Sequence, residues 1–210
     1  VVAGITPPNY PLTMPLYKAV PALVTGNTVI MKPSEDTSLV ALRLGEIFCK
    51  ASLPDGVFNV VTGLGETAGA ALANHDDVDK ITFTGSTEVG RPLVRASAPN
   101  LKKVSLELGG KPPNIVFADA DLEAALKGVF MGIFFCQGEI CSTGSRLFVE
   151  GASTRNSSHE QSGWGPRERA VRARPVHADQ IGHHQLYVIT IDFPRRAKYR
   201  DLVSDLDHLL

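Results

Sequence analysis

KITFTGSTEVGRPLVRAS, Lys80–Ser97, decides the fold. Its opening residues Ile81, Thr82 and Phe83 are β-branched or aromatic, which is the composition of a short strand. Thr84-Gly85-Ser86-Thr87 breaks that run with turn residues, and its hydroxyls are placed to cap a following helix. Thr87 to Ser97 then reads as that helix. A strand, a Gly-containing turn and a helix in direct succession form the unit from which parallel sheets are built.

The same unit recurs on both sides. Upstream, Val1–Ile5 reads as a strand stopped by Thr6-Pro7-Pro8-Asn9, since paired prolines do not fit a central strand. Pro11–Leu23 has helical spacing, with Pro15 in its first turn, Pro21 expected to kink it and Gly26-Asn27 ending it. Thr28–Met31 is a strand, Lys32–Asp36 a polar turn, and Ser38–Ala51 an amphipathic helix with Leu39, Leu42, Leu44, Ile47 and Phe48 as its apolar positions. Val57–Val61, Gly63-Leu64-Gly65 and Glu66–Asn74 repeat the pattern. Downstream, Val104–Leu108 and Asn114–Phe117 are strands, Ala118-Asp119-Ala120-Asp121 caps a helix from Leu122 to about Phe135, and Arg146–Val149 is a last strand. The alternation predicts an α/β fold with a mainly parallel sheet and helices on both faces. Ligands of such sheets bind outside the carboxyl ends of the strands. The turns Pro7–Asn9, Lys32–Glu35, Gly63–Gly65 and Gly85–Ser86 should therefore share one rim.

The totals narrow the function. A chain of 210 residues with 43% apolar residues can build a sizeable core. A net charge of −1 gives no sign of a nucleic-acid or acidic-membrane partner. No apolar run approaches the ~20 residues of a membrane-spanning helix. Three cysteines, Cys49, Cys136 and Cys141, are too few for a disulfide framework or a zinc site, so no metal is expected and a reducing, cytoplasmic setting is. The opening VVAGITP lacks Met and reads as a strand in progress, which predicts a piece of a longer protein. Beyond Glu150 the composition breaks. Residues 1–150 hold eight Lys and four Arg, whereas 151–210 hold one Lys, eight Arg and five of the six His. Gly151–Arg174 reads as loop or disorder, a strand is expected around Leu186–Ile191, and Tyr199–Leu210 has the spacing of a short amphipathic helix. Two readings of 151–210 stay open: a genuine polar extension, or a tail produced by a reading frame shifted after Glu150.

Several residues suggest chemistry. FFCQGEICSTGSR, Phe134–Arg146, sets Cys141 just past a Gly turn, where backbone N–H groups favour a thiolate nucleophile; the competing reading is a small buried thiol. Glu107, between Leu106 and Leu108 in a strand, is costly if buried and unpaired, and a raised pKa would suit a general base. Asn9 could present its amide to an oxyanion or simply form an Asx-turn. Lys32 and Glu35, at a strand end, could hold ribose hydroxyls or form a solvated turn. Gly85–Gly90, GSTEVG, offers helix N–H groups to a pyrophosphate but is not GxGxxG, and a plain N-capped turn fits as well.

Together, PPNYP (Pro7–Pro11), GNTVIMKPSE (Gly26–Glu35), LPDGVFNVVTG (Leu53–Gly63), ITFTGSTEVG (Ile81–Gly90), LELGGKPPNIVF (Leu106–Phe117) and QGEICSTGSR (Gln137–Arg146) resemble the aldehyde dehydrogenase superfamily across about 1–150. The resemblance implies a Rossmann-like, partial dinucleotide-binding domain over 1–108. It implies the start of a second α/β, catalytic domain over 109–150; residues 151–210 fall outside the resemblance and read as an atypical, irregular tail, frameshifted or disordered. It implies Cys141 as nucleophile, Glu107 as the base that activates water, and Asn9 as the oxyanion amide. Lys32, Ser34, Glu35, Gly63, Gly85, Ser86 and Leu108 become cofactor positions, with Lys32 and Glu35 at the adenosine ribose, Ser86 at the pyrophosphate and the backbone of Leu108 near the nicotinamide. The implied activity is oxidation of a small-molecule aldehyde to a carboxylic acid with NAD, NADP being possible, through a cysteine thioester. Full-length relatives homo-oligomerise through a segment that the resemblance does not reach. The alternatives are an inactive nucleotide-binding remnant and a relative that forms acyl-CoA or reduces an acyl phosphate; Glu107 argues against the latter. Pro8, Tyr10 and Cys136 stand where many members carry Trp, Phe and Asn.

Overall fold

The computed structural model describes residues 1–150, 171–175 and 186–191. The chain divides into two units, Val1–Gly109 and Gly110–Leu210.

In the first unit, β1 (Val2–Ile5), β2 (Val29–Lys32), β3 (Phe58–Val60), β4 (Lys80–Gly85) and β5 (Lys103–Leu108) form one parallel sheet in the order β3-β2-β1-β4-β5. The chain builds outward from β1 to β3, then returns to the other side of β1 for β4 and β5. That reversal makes a topological switch point between β1 and β4, where a crevice opens at the carboxyl ends of the strands. The helices are α1 (Thr13–Val24), α2 (Ser38–Lys50), α3 (Ala70–Asn74) and α4 (Thr87–Ala96).

Every residue of β1 is buried, because successive side chains serve opposite faces. Ala3 and Ile5 join Ile81, Phe83, Val78, Ala73 and Leu93 in one core. Val2 joins Val29, Met31, Ala19 and Ala22 in another. Met31 and Ile81 are fully buried, each worth roughly 1.5–3 kcal/mol relative to exposure.

Helix α1 runs through Pro21. It stops where side chains take over its last carbonyls: Thr25 Oγ1 donates to Pro21 O at 2.8 Å, and Asn27 donates to Ala22 O through its backbone N at 3.0 Å and Nδ2 at 3.3 Å. On α2 the apolar arc is wider than the surface it meets. Ala41 and Leu44 are buried, while Leu39, Leu42 and Ile47 are exposed. Phe48 packs edge-on against Phe58 of β3, with ring centroids 4.9 Å apart.

In the second unit, β6 (Pro113–Val116) pairs in parallel with β7 (Arg146–Glu150), and α5 (Leu122–Phe134) connects them. Asp121 caps α5, its carboxylate accepting from Ala124 N at 3.0 Å. Val116, Val129, Ile133 and Leu147 form this unit's core. Two further strands, β8 (Val171–Pro175) and β9 (Leu186–Ile191), extend the sheet antiparallel in the order β6-β7-β9-β8. β9 coincides with the strand expected from sequence. β8 falls in the stretch read as loop; its VRARP alternates with period 2 but is too short to signal a strand alone. The helix expected over Tyr199–Leu210 lies outside the described residues. No helix among the described residues is long and apolar enough to cross a membrane.

Candidate functional site

A cleft of about 820 Å³ opens at the carboxyl ends of β1, β2 and β4. Its walls carry the turns that the topology placed on one rim: Pro7 and Pro8 after β1, Lys32, Ser34 and Glu35 after β2, and Gly85 and Ser86 after β4. Val89, Leu93 and Ala96 of α4 add an apolar side. Gly63 and Leu108 are not part of the lining. Gly63, at φ +140, is a position that favours glycine, and it shapes the turn before Leu64 and Gly65, which do line the cleft. The Leu108 side chain instead packs on the core beneath α4.

The polar groups of the rim are held in place. The Lys32 side chain is 3% exposed, and its ammonium donates to Glu35 Oε2 at 3.2 Å. Glu35 remains 47% exposed, so one carboxylate face is available to a ligand. Its own backbone N–H, and then the Lys32 ammonium, hold its carboxyl below the usual range. Ser34 is buried, and its carbonyl accepts from Ser38 Oγ at 2.9 Å and from Thr37 N at 3.2 Å. Ser86 is the N-cap of α4, its hydroxyl accepting from Val89 N at 3.2 Å. That bond uses the oxygen and leaves the Ser86 proton to donate elsewhere. Neighbouring Gly85 admits no Cβ, because one would run into the Phe83 ring.

Asn9 is half-buried just past the β1 end of the same rim. Glu107 differs from the sequence expectation. It is exposed, as are Lys103 and Ser105 along the alternating strand β5, at the edge of the sheet. Leu106 and Leu108 are its sequence neighbours, but in a strand they face the other way. The burial expected of Glu107 is therefore absent from this unit.

Lys18, Lys32 and Lys102 are buried titratable groups among the described residues, and Lys18 is one the motifs did not single out. Lys18 of α1 is 7% exposed and donates to Thr84 Oγ1 at 2.8 Å and Thr82 Oγ1 at 3.3 Å. Burial lowers its pKa to about 8, and the Glu107 carboxylate acts in the opposite sense. Thr84 stands in register with Glu107 across β4 and β5. Lys18 was legible in the helix period: Pro15, Lys18, Ala19 and Ala22, at i, i+3, i+4 and i+7, are the buried residues of α1.

Cys141 lies in the second unit, in the turn between α5 and β7, and is exposed, as are Cys49 and Cys136. It is not the small buried thiol that was the competing reading. After α5 the backbone reverses through Cys136 (φ +48), Gln137 (φ +61) and Gly138 (φ +74). For the two non-glycine residues such conformations cost of order 1–3 kcal/mol each and need support from the surroundings. Support comes from buried Thr143, whose hydroxyl donates to Gly138 O at 3.0 Å and whose N–H donates to Ile140 O at 3.1 Å.

Residues 1–158 match the family model described as "Aldehyde dehydrogenase family". Phenylacetaldehyde dehydrogenase of Pseudomonas fluorescens is 56% identical over 149 residues, and aldehyde dehydrogenase 1A1 of Gallus gallus 53% over 151; each alignment covers 71% of this chain and 30% of the relative. Among solved structures, PnpE in complex with nicotinamide adenine dinucleotide superposes with a TM-score of 0.68 at 55% identity, over 70% of this chain and 30% of that one. The aldehyde dehydrogenase KauB from Pseudomonas aeruginosa gives 0.69 at 53%, with the same coverage. The chain thus spans about 30% of the length of the curated relatives it matches. A strand-turn-helix rim with a cleft at its switch point, an exposed cysteine past a Gly turn and this similarity lead to one conclusion: the chain belongs to the aldehyde dehydrogenase family.

Proposed function

We propose that this chain contributes the nucleotide cleft and the nucleophile of an enzyme that oxidises an aldehyde to a carboxylic acid. The cleft at the β1/β4 switch point carries the proposal, since its residues suit a dinucleotide. Glu35 can accept from ribose hydroxyls and repels a 2′-phosphate, which favours NAD over NADP. Lys32 fixes the orientation of that carboxylate. Ser86 and the first N–H groups of α4 suit a pyrophosphate. NAD is also the nucleotide bound to PnpE. When bound, the nicotinamide supplies the hydride acceptor.

The remaining chemistry belongs to side chains of this chain. The Cys141 thiolate attacks the carbonyl carbon, forming a C–S bond and placing the electron pair on the oxygen. The family resemblance assigns the oxyanion role to the Asn9 amide, an effect typically worth about 3–4 kcal/mol. Loss of hydride from the carbon leaves a thioester on Cys141. Glu107 takes a proton from water, which attacks the thioester, and the C–S bond breaks to return the thiolate.

A second reading, nucleotide binding without turnover, is favoured by one observation: the cleft residues all fall within Val1–Gly109. The test supplies an aldehyde and NAD⁺ and follows the absorbance of the reduced nicotinamide, with Cys141→Ser as control. Turnover lost in the variant supports the oxidation. No turnover in the wild type, with NAD⁺ still raising the melting temperature, supports the second reading.

A further inference from the structure

Among the described residues, Asn114 ties the turn that carries Cys141 to the sheet. Asn114 of β6 donates through Nδ2 to Gly144 O at 2.8 Å, three residues beyond the cysteine. The Gly144 N–H in turn donates to Gly132 O of α5 at 3.0 Å. Both glycines face the Asn114 carboxamide. A Cβ on Gly144 would stand 2.5 Å from Asn114 Nδ2 and 2.8 Å from Oδ1, and one on Gly132 would stand 3.2 Å from Oδ1. Gly144 is buried and Asn114 half-buried, so the amide fills a slot that only two missing side chains leave open. Thr143 closes the turn from within through Gly138 O.

We infer that Asn114 is a positioning residue for the nucleophile: its carboxamide, wedged between Gly132 and Gly144, fixes the turn on which Cys141 stands. This rests on the reading of Cys141 as the nucleophile. The physical reason is economy of restraint. Cys141 is exposed on a turn with left-handed residues at its start, and nothing in its own burial sets its direction. The Gly144 carbonyl is the point at which the turn rejoins β7. A donor there holds the far end of the turn, while Thr143 ties that end back to Gly138. Since Cys141 is already exposed, reagent access does not limit its reaction. What the clamp supplies is a constant placement of the thiolate among the turn's backbone N–H groups.

Asn114→Asp keeps the side-chain volume but replaces the donor with an acceptor facing the Gly144 carbonyl. The experiment measures alkylation rates of Cys49, Cys136 and Cys141 by iodoacetamide in the same sample, resolved by peptide mass spectrometry. The expected result is Cys141 slowed about fivefold, the size of one lost hydrogen bond, with Cys49 and Cys136 within about twofold of wild type. An unchanged Cys141 rate overturns the inference. So does a rise at both Cys136 and Cys141, which would show that the loop has merely come loose. Thr143→Val provides a second route that leaves β6 intact; it should slow Cys141 in the same direction, and Thr143→Ser should restore the rate. Failure of Ser to restore it overturns the role of the turn's geometry. In turnover assays Asn114→Asp should lower kcat and leave KM for NAD⁺ unchanged. Labelling needs no turnover, so an inactive wild type would sink the oxidation reading while the labelling result still decides the clamp.

Discussion

The two units handle their functional groups in opposite ways. In Val1–Gly109 the candidate ligand groups sit on turns fixed by a five-stranded parallel sheet, and the cleft they line is a consequence of strand order. In the second unit Cys141 stands on an irregular turn held by a few polar tethers, with Asn114 and Thr143 the key ones. A cleft made by topology keeps its frame when a rim side chain such as Glu35 or Ser86 is changed, even where ligand affinity falls. A turn made by tethers does not. The largest effects should therefore come from the sheets, and the most selective ones from single polar groups.

The strongest way to break this contrast is to weaken each sheet. Ile81 and Leu147 are both fully buried, one in each unit. Ile81→Ala and Leu147→Ala should each cost about 2–4 kcal/mol. Hydrogen exchange should read the first along β1 and β4 and the second along β6 and β7. A cost below about 1 kcal/mol at either site would mean that its strand is not the frame described.

A smaller effect tests whether the cleft's charges serve a ligand. Glu35→Gln keeps the shape but loses the ionised acceptor that Lys32 orients. It should weaken NAD⁺ binding about tenfold, which is about 1.4 kcal/mol, and narrow the preference over NADP⁺. In stability the pair counts for far less, because Glu35 is half exposed and solvent screens it. The sign follows from the lowered carboxyl pKa. The folded protein holds the carboxylate more strongly than the unfolded chain, so the contribution is present above the unfolded pKa, near 4.5, and is lost as pH falls through the folded value. Calorimetry of wild type and variant should show their difference vanish in acid.

Lys18 sharpens the comparison from the opposite direction, as a charge buried inside the sheet unit. Its pKa falls from 10.5 to about 8. Below pH 8 the ammonium is buried at a cost. Between about 8 and 10.5 the folded state releases a proton that the unfolded chain keeps, so stability rises with pH across that window. Lys18→Met should remove the rise and change stability at pH 7 by on the order of 1 kcal/mol. A flat wild-type profile from pH 8 to 10 would argue that Lys18 stays charged in the fold.

Sequence carried most of the first unit because its signals are local. Each strand is a short apolar run, each turn contains Gly, Pro or a capping hydroxyl, and Ser86 and Asp121 cap the helices expected of their positions. What failed was burial. Glu107 was judged from Leu106 and Leu108, yet in a strand those neighbours point to the opposite face, and only its partners across the sheet reveal that β5 is an edge. Leu39, Leu42 and Ile47 have the spacing of a core face, but helical period does not show how much of that face the sheet covers. Lys18 was missed because a charged residue is not expected on an apolar face. Asn114 was missed because its partners lie far along the chain, at Gly132 and Gly144. A carboxamide meeting two glycines leaves no periodic trace.

The smallest effect compares the two caps directly. Ser86 Oγ accepts from Val89 N at 3.2 Å, and Asp121 Oδ1 accepts from Ala124 N at 3.0 Å, in the same position relative to α4 and α5. As caps they are equivalent, and replacing either with Gly should cost only a few tenths of a kcal/mol, since glycine is itself an acceptable N-cap. They differ in surroundings: Ser86 borders the cleft at the switch point, and Asp121 lies in the second unit. Ser86→Gly should therefore reduce the rise in melting temperature produced by NAD⁺, while Asp121→Gly leaves it as in wild type. On the proposed reading the hydroxyl can serve both, because its oxygen accepts from the helix while its proton can donate to a ligand. Equal NAD⁺-induced shifts in wild type and Ser86→Gly would reduce Ser86 to a helix cap and leave the pyrophosphate to the backbone N–H groups of α4.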